Sequence, residues 1–352
     1  MFLKAVKVNI CYESFIDANN NFLFLGQIQL ISILTTTRKY HYYLFIYILL
    51  LIIPAFFLNL GILPFIHDEA IRANVTLEMI FSGNYIVPTI NGEVYLNKPP
   101  FFNWILIVFT KITGSYHEFT FRLPVVLSLL LFAFTVYYTL RKDIGKEAAF
   151  LTALALLTCG RILFYDSFRG LIDITFSWII YMIFWLIYYY QKRKEYYNLF
   201  IVVYILTSVA YLLKGLPALV FLGISLLVFF IDRKEFRKLF QLPHITGFLI
   251  LIIIIGSYYL SFNKYFSLQE TFETLWSESS KRTFIENSFF RSVKHFFVFP
   301  FDFIYHFLPW SLFVVILFVK GAFRFMLHKP LLRYFGLIFI ANILIYWVSP
   351  AI

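Results

Sequence analysis

Cysteine is scarce in this chain, with two in 352 residues, Cys11 and Cys159. That excludes a disulfide-stapled scaffold and a Cys-x-x-Cys redox or zinc site. Charge is scarce as well. Only 14% of residues are charged and 61% are hydrophobic, whereas a soluble domain carries about a quarter charged and under half apolar. No water-soluble fold has enough interior to hide this much apolar surface, so the solvent for most of the chain is lipid. The apolar segments are continuous and do not alternate, which excludes a membrane β-barrel. The N-terminus lacks the charged, apolar and small-residue regions of a cleavable signal peptide. The expected fold is an all-α polytopic membrane protein.

The net charge of +11 arrives in short clusters between apolar runs. That is the positive-inside pattern of a membrane protein and not a nucleic-acid surface. Residues 1–40 form an N-terminal extension with no assigned function, and 41–352 the transmembrane domain. His41 to Leu63 is apolar for 23 residues, enough at ~1.5 Å per residue to cross a ~30 Å core, Pro54 included. Further spans are expected at 121–140, 148–164, 174–190, 196–213, 216–231, 245–262, 301–319 and 331–348, about nine in all. Phe101–Ile112 is too short to cross and reads as an interfacial or re-entrant helix. With that segment left out, the loops Arg141–Glu147, Gln191–Glu195, Asp232–Lys238 and Lys320–Lys329 all share the cytoplasmic side of Arg38 and Lys39. The segments 64–101, 165–173, Lys214-Gly215 and 263–300 then face the other way, with juxtamembrane helices at that surface. The end of the chain at Ser349-Pro350 reads as a truncation.

Nearly all motif-like polar residues fall in those outer segments. Asp68 and Glu69 follow directly after the first span. Carboxylates beside hydrocarbon are costly to keep, so they serve as a general base or as the N-cap and first-turn acid of a helix over 69–82. Lys98-Pro99-Pro100 presents an ammonium on a stiff, extended entry, suited to a phosphate headgroup or to simple snorkelling. Arg169 and Asp173, four apart, are expected to share a helical face as an ion pair or to hold a phosphate. Lys214-Gly215-Leu216-Pro217 is a tight turn carrying one cation. Loop 263–300 adds Glu278, Arg282, Glu286, Arg291 and His295, followed by Pro309-Trp310.

In their order, these residues resemble the GT-C glycosyltransferases that use polyprenyl-phosphate sugars, in the branch holding the aminoarabinose transferase of lipid A and the protein mannosyltransferases. The likeness covers about residues 41–350. It rests on Asp68-Glu69, on Glu78-Met79 with Gly83, on Val87-Pro88 with Asn91-Gly92, and on Lys98-Pro99-Pro100. Arg169 with Asp173, Lys214-Gly215 and Pro309-Trp310 complete it. The resemblance implies a membrane glycosyltransferase, inverting, acting on a lipid, glycan or protein acceptor at the extracytoplasmic face of a bacterial inner membrane. It implies Asp68 and Glu69 as catalytic, Lys98, Arg169, Lys214 and Arg72 as donor-phosphate ligands, and Asp173, Glu78, Asn91 and His295 as supporting residues. A divalent cation is weakly implied, because Asn97 stands where the family has a metal-holding Glu. Arg72 lies four residues after Asp68 where the family has its Arg at three. The rival classes are a transporter or flippase for a lipid-linked substrate, which calls for charges within the spans, and an inactive fragment of such a transferase.

Overall fold

The computed structural model describes residue 43 and residues 46–280 and 289–348. The N-terminal extension, Arg282, Glu286 and Ser349-Pro350 lie outside the described residues. The chain divides into two units, Met1–Leu58 and Asn59–Ile352. In the first, the described structure is one helix, α1 (Ile46–Ala55). The expected 23-residue span is therefore not continuous. Helix gives way to turns one residue after Pro54, whose missing N–H removes a rung of the helix.

The second unit begins with α2 (Asp68–Ser82), the hairpin strands β1 (Thr89–Ile90) and β2 (Glu93–Val94), and α3 (Phe101–Thr113). At 13 residues α3 is about 20 Å long, too short to cross, as the sequence implied. Long helices follow: α4 (Glu118–Leu140), α5 (Lys146–Thr158) with α6 (Gly160–Phe164), α7 (Asp173–Lys192), α8 (Tyr196–Lys214), α9 (Pro217–Asp232) and α10 (Leu242–Phe262). Then come α11 (Leu268–Ser280), α12 (Phe289–His306), α13 (Ala322–His328) and α14 (Pro330–Val348). Short 3-10 segments at Asp166–Phe168, Phe236–Phe240 and Trp310–Phe318 join them.

Among the described residues, α4, α7, α8 and α10 are long and apolar enough to cross a bilayer, and up to six spans result if each bent pair counts as one. This is an integral membrane protein. Two expected spans are bent. The one over 148–164 breaks at Cys159 by 41°, and that over 301–319 is two pieces meeting at 113°. Pro309 accounts for the second break, since proline disfavours a helical residue before it and supplies no N–H after it.

Lipid tails are as apolar as leucine, so the spans associate through close packing instead of water release. The α8–α10 contact shows how close. A Cβ on Gly247 would lie 2.5 Å from Tyr204 Cδ2 and 2.8 Å from the Phe200 carbonyl oxygen. Gly256, on the same helix, has open space around it. Gly247→Ala is expected to cost about 1–3 kcal/mol through overpacking and to lower Tm in detergent. Gly256→Ala should leave Tm unchanged or raise it slightly through better helix propensity.

Candidate functional site

The site is assembled at one end of the helices by a buried ion pair. Glu69, on the first turn of α2, is 1% exposed and Arg122, on α4, is 2% exposed. Arg122 Nε donates to Glu69 Oε1 at 2.6 Å and Nη2 to Oε2 at 2.9 Å, a two-pronged contact. Arg122 also donates to the carbonyls of Leu60 at 2.9 Å and Pro64 at 3.2 Å. The Gly170 N–H donates to Glu69 Oε1 at 2.8 Å. A Cβ on Gly170 would meet the Phe121 carbonyl oxygen at 3.2 Å and Glu69 Oε1 at 3.3 Å, a tight fit that favours glycine. Glu69 thus accepts three hydrogen bonds from protein and is almost wholly buried. Its expected role as a substitute base gives way to that of an anchor, because its carboxylate is paired with Arg122 and withdrawn from solvent.

Its neighbour Asp68 is exposed and has no hydrogen-bond or ion-pair partner among the described residues. It is the first residue of α2, not the N-cap: that place belongs to His67, whose φ of 51° is rare for a side chain larger than glycine. The Glu69–Gly170 bond brings the segment carrying Arg169 next to the α2 start, so Asp68 and Arg169 are each one residue from a shared contact.

Two of the sequence motifs build a scaffold. Glu78 accepts the N–H of Asn91 and, at 3.3 Å, that of Gly92. Asn91 (φ 54°) and Gly92 (φ 80°) form the tight turn of the hairpin, which matches the Asn-Gly preference for two positive φ values. Met79, Val75 and Ile107 form a buried cluster against which Ile90, Tyr95 and Trp104 pack. Arg72 is buried and donates to Tyr95 Oη at 2.7 Å with its guanidinium over that ring. It ties α2 to the hairpin and is not among the charges gathered around Asp173. His295 donates through Nε2 to the Tyr346 carbonyl at 2.9 Å, joining α12 to α14. Glu78, Asn91 and His295 are therefore structural.

The remaining predicted residues do meet. The Lys-Gly turn approaches the Lys-Pro-Pro segment, since a Cβ on Gly215 (φ 82°) would lie 4.0 Å from Pro99 Cδ. Lys214 pairs with Asp173, and the charges acting on Asp173 are those of Lys214, Lys98 and Arg161. Arg169 does not pair with Asp173 on a helical face. Its backbone is extended (φ −123°, ψ 143°) and α7 starts only at Asp173, so the guanidinium stacks 3.7 Å over Tyr165. Asp166, buried, lies near Arg161, Asp173 and Arg169. Arg122, Arg161 and Asp166 were not singled out in the sequence. An arginine inside a helix otherwise free of acids after Glu118 was the one available sign of the first.

Below Asp173 and Lys214 opens a cavity of about 830 Å³ between α4, α5, α7, α9, α12 and α14. Apart from those two, its described lining carries no charge, with Ile180, Phe221 and Phe339 typical of the walls. The described residues hold no group of three or more His, Cys, Asp or Glu side chains placed for a metal, and Asn97 is exposed. No step below passes through a metal cation.

With this geometry, comparisons become informative. The family model described as dolichyl-phosphate-mannose-protein mannosyltransferase matches residues 97–259. The chain is 26% identical over 231 residues to an uncharacterized protein of Aquifex aeolicus, covering 65% of this chain and 45% of that one. It is 27% identical over 175 residues to the undecaprenyl phosphate-alpha-4-amino-4-deoxy-L-arabinose arabinosyl transferase of Erwinia tasmaniensis, covering 49% and 32%. The crystal structure of ArnT from Cupriavidus metallidurans bound to undecaprenyl phosphate superposes with a TM-score of 0.70 at 23% identity, covering 87% of this chain and 55% of that one. The chain has the GT-C fold of that ArnT structure. It spans less than half the length of the curated relatives it matches. In this chain the two adjacent acids divide into an anchor, Glu69, and an unengaged carboxylate, Asp68.

Two outcomes test this division. Removing one partner of a buried pair strands the other charge, so Arg122→Ala should cost about 3–5 kcal/mol, read as a fall in Tm in detergent, whereas Asp68→Asn should leave Tm unchanged. Burial pushes the Glu78 carboxyl up, but hydrogen bonds from Thr89, Gly92 and Asn91 outweigh it and hold it below its ordinary value. Its contribution is therefore complete above about pH 4.3, the usual glutamate value, and is lost as pH falls through the lower folded value. Amide exchange at Asn91 and Gly92, corrected for intrinsic rates, should quicken in that acid window, and Glu78→Gln should abolish the pH dependence.

Proposed function

We propose that this protein transfers a sugar from a polyprenyl-phosphate donor to an acceptor at the extracytoplasmic face of a bacterial inner membrane, with inversion. The single observation that carries this reading is the apolar cavity whose charged residues, Asp173 and Lys214, sit inside the cluster that also holds Lys98 and Arg169. A donor of this class is one long hydrocarbon chain ending in a phosphate, and such a cavity with a cationic mouth suits it. The arabinosyl transferase name of one relative and the undecaprenyl phosphate bound to a structural neighbour support the same donor class.

The acceptor oxygen attacks the sugar's anomeric carbon from the face opposite the phosphate. The anomeric C–O bond breaks, its electron pair stays on the phosphate oxygen, and Asp68 takes the acceptor's proton. Lys98, Arg169 and Lys214 stabilise the charge that grows on the phosphate, an interaction stronger in the transition state than in the ground state. Asp173 orients Lys214. An attack from the opposite face inverts the anomeric centre, by the geometry of inverting glycosidases. If the acceptor is itself a phosphate, Asp68 positions it and removes no proton.

Orientation is supported by the opposite ends of the helices. There Asp143 pairs with Lys192 at 3.5 Å, Asp232 with Arg333, and Glu235 with Tyr196 at 2.8 Å. The acids are engaged locally and cations are in excess, as a cytoplasmic face requires. The ionisable side chains sit at the two ends of the helices, which disfavours a transport path through the midplane.

In membranes carrying this chain, supplied with a polyprenyl-phosphate sugar, Asp68→Asn should lower kcat about 10²–10⁴-fold with little change in KM. Lys98→Ala should raise the donor KM and lower kcat. Near-wild-type turnover in both variants would sink the assignment.

A further inference from the structure

The cluster holds a cation that neither the motifs nor the comparisons assign. The break at Cys159 redirects the chain so that α6 carries Arg161 back toward the site. Arg161 Cζ lies 4.4 Å from the centroid of the Tyr165 ring and Arg169 Cζ 3.7 Å from the same centroid. The two guanidinium carbons are therefore within about 8 Å of each other, stacked on one aromatic platform.

Arg161 is only partly engaged by protein. Its Nε reaches both Asp166 oxygens at 3.3 Å, longer than the ~2.7–2.9 Å of a strong charge-assisted bond. Its two terminal nitrogens have no hydrogen-bond partner among the described residues, and its side chain is 41% exposed. Those nitrogens form the planar fork that grips a phosphate through two parallel bonds.

The placement of Arg161 is enforced from a distance. Trp310 Nε1 donates to Thr158 Oγ1 at 2.8 Å, and the Gly160 N–H donates to the Leu308 carbonyl at 2.7 Å. A Cβ at Gly160 would meet that carbonyl oxygen at 3.2 Å. The Pro309-Trp310 motif thus clasps the helix break immediately before Arg161.

Charge balance points the same way. Lys98, Arg169 and Lys214 against Asp166 and Asp173 leave one positive charge in excess. With Arg161 the excess is two before Asp68 is counted and one after, so Arg161 adds positive charge where a departing phosphate monoester becomes a dianion.

We propose that Arg161 is a further ligand of the donor phosphate, presented beside Arg169 on Tyr165 and held in place by the Pro309-Trp310 clasp. This rests on the glycosyl-transfer reading above. The test is equilibrium binding of undecaprenyl phosphate and, separately, of undecaprenol, to the purified chain in detergent. Wild type should prefer the phosphate. Arg161→Ala should weaken phosphate-lipid binding roughly tenfold, as expected for lost hydrogen bonds to a charged group, and leave undecaprenol binding unchanged. Arg161→Lys should fall between them. Asp166→Asn separates ligand from scaffold: it should bind the phosphate lipid at least as tightly as wild type. If Arg161 merely pairs with Asp166, that variant will lose affinity as Arg161→Ala does, and the proposal fails. It also fails if Arg161→Ala binds like wild type. A wild-type chain indifferent to the phosphate would overturn the donor reading itself, an outcome distinct from indifference of the Arg161 variant alone.

Discussion

The arrangement depends on one buried contact, the two-pronged pairing of Arg122 with Glu69 and the acceptance of the Gly170 N–H by the same carboxylate. Charges withdrawn from water are costly, and the cost is offset only when nearly every donor and acceptor finds a partner. Here Arg122 uses two more of its donors on the Leu60 and Pro64 carbonyls. The pair therefore joins the chain entering α2, the α4 span and the loop before α7 with little freedom of register. Strength is not its main contribution, since buried pairs often do no better than apolar packing. It defines where two neighbouring side chains stand: Asp68 on one side and Arg169 on the other.

Around that anchor the polar residues separate by function. One set, Glu78, Asn91, Gly92, Arg72 and Tyr95, folds a small hairpin onto α2 and delivers the chain, stiffened by Pro99 and Pro100, to the place where Lys98 is needed. The other set surrounds Asp173 and Asp166 with cations at the mouth of an apolar cavity. Both sets serve the proposed transfer. A cation cluster is useful against phosphate only if the cations are held in advance, so that no reorganisation is needed when charge develops.

The two helix breaks belong to the same design. The 41° bend at Cys159 re-aims the short piece that carries both Arg161 and Tyr165, four residues apart and in contact. A straight helix through 301–319 would remove Trp310 from Thr158 and Leu308 from Gly160. In lipid an interrupted helix is tolerated only where other groups satisfy the freed backbone, and the Gly160–Leu308 bond is one such exchange.

The sequence by itself determined the membrane setting, the helical class and the short α3, because these follow from apolar length and charge alone. It also located Asp68, Lys98, Arg169, Asp173 and Lys214 on one face, since loop position follows from span counting. It did not separate Asp68 from Glu69, which are adjacent and chemically alike; only the position of Arg122, fifty-three residues later, decides which carboxylate is engaged. Spacing suggested an Arg169–Asp173 pair, but spacing has that meaning only on a helix, and α7 begins at Asp173. The two arginines that stack on Tyr165 lie four residues to either side of it, a local arrangement. The pairing of Asp173 with Lys214 and the cavity beneath them are long-range contacts between spans. No local pattern encodes them, because they depend on which helix faces which, and the packing of the bundle alone settles that.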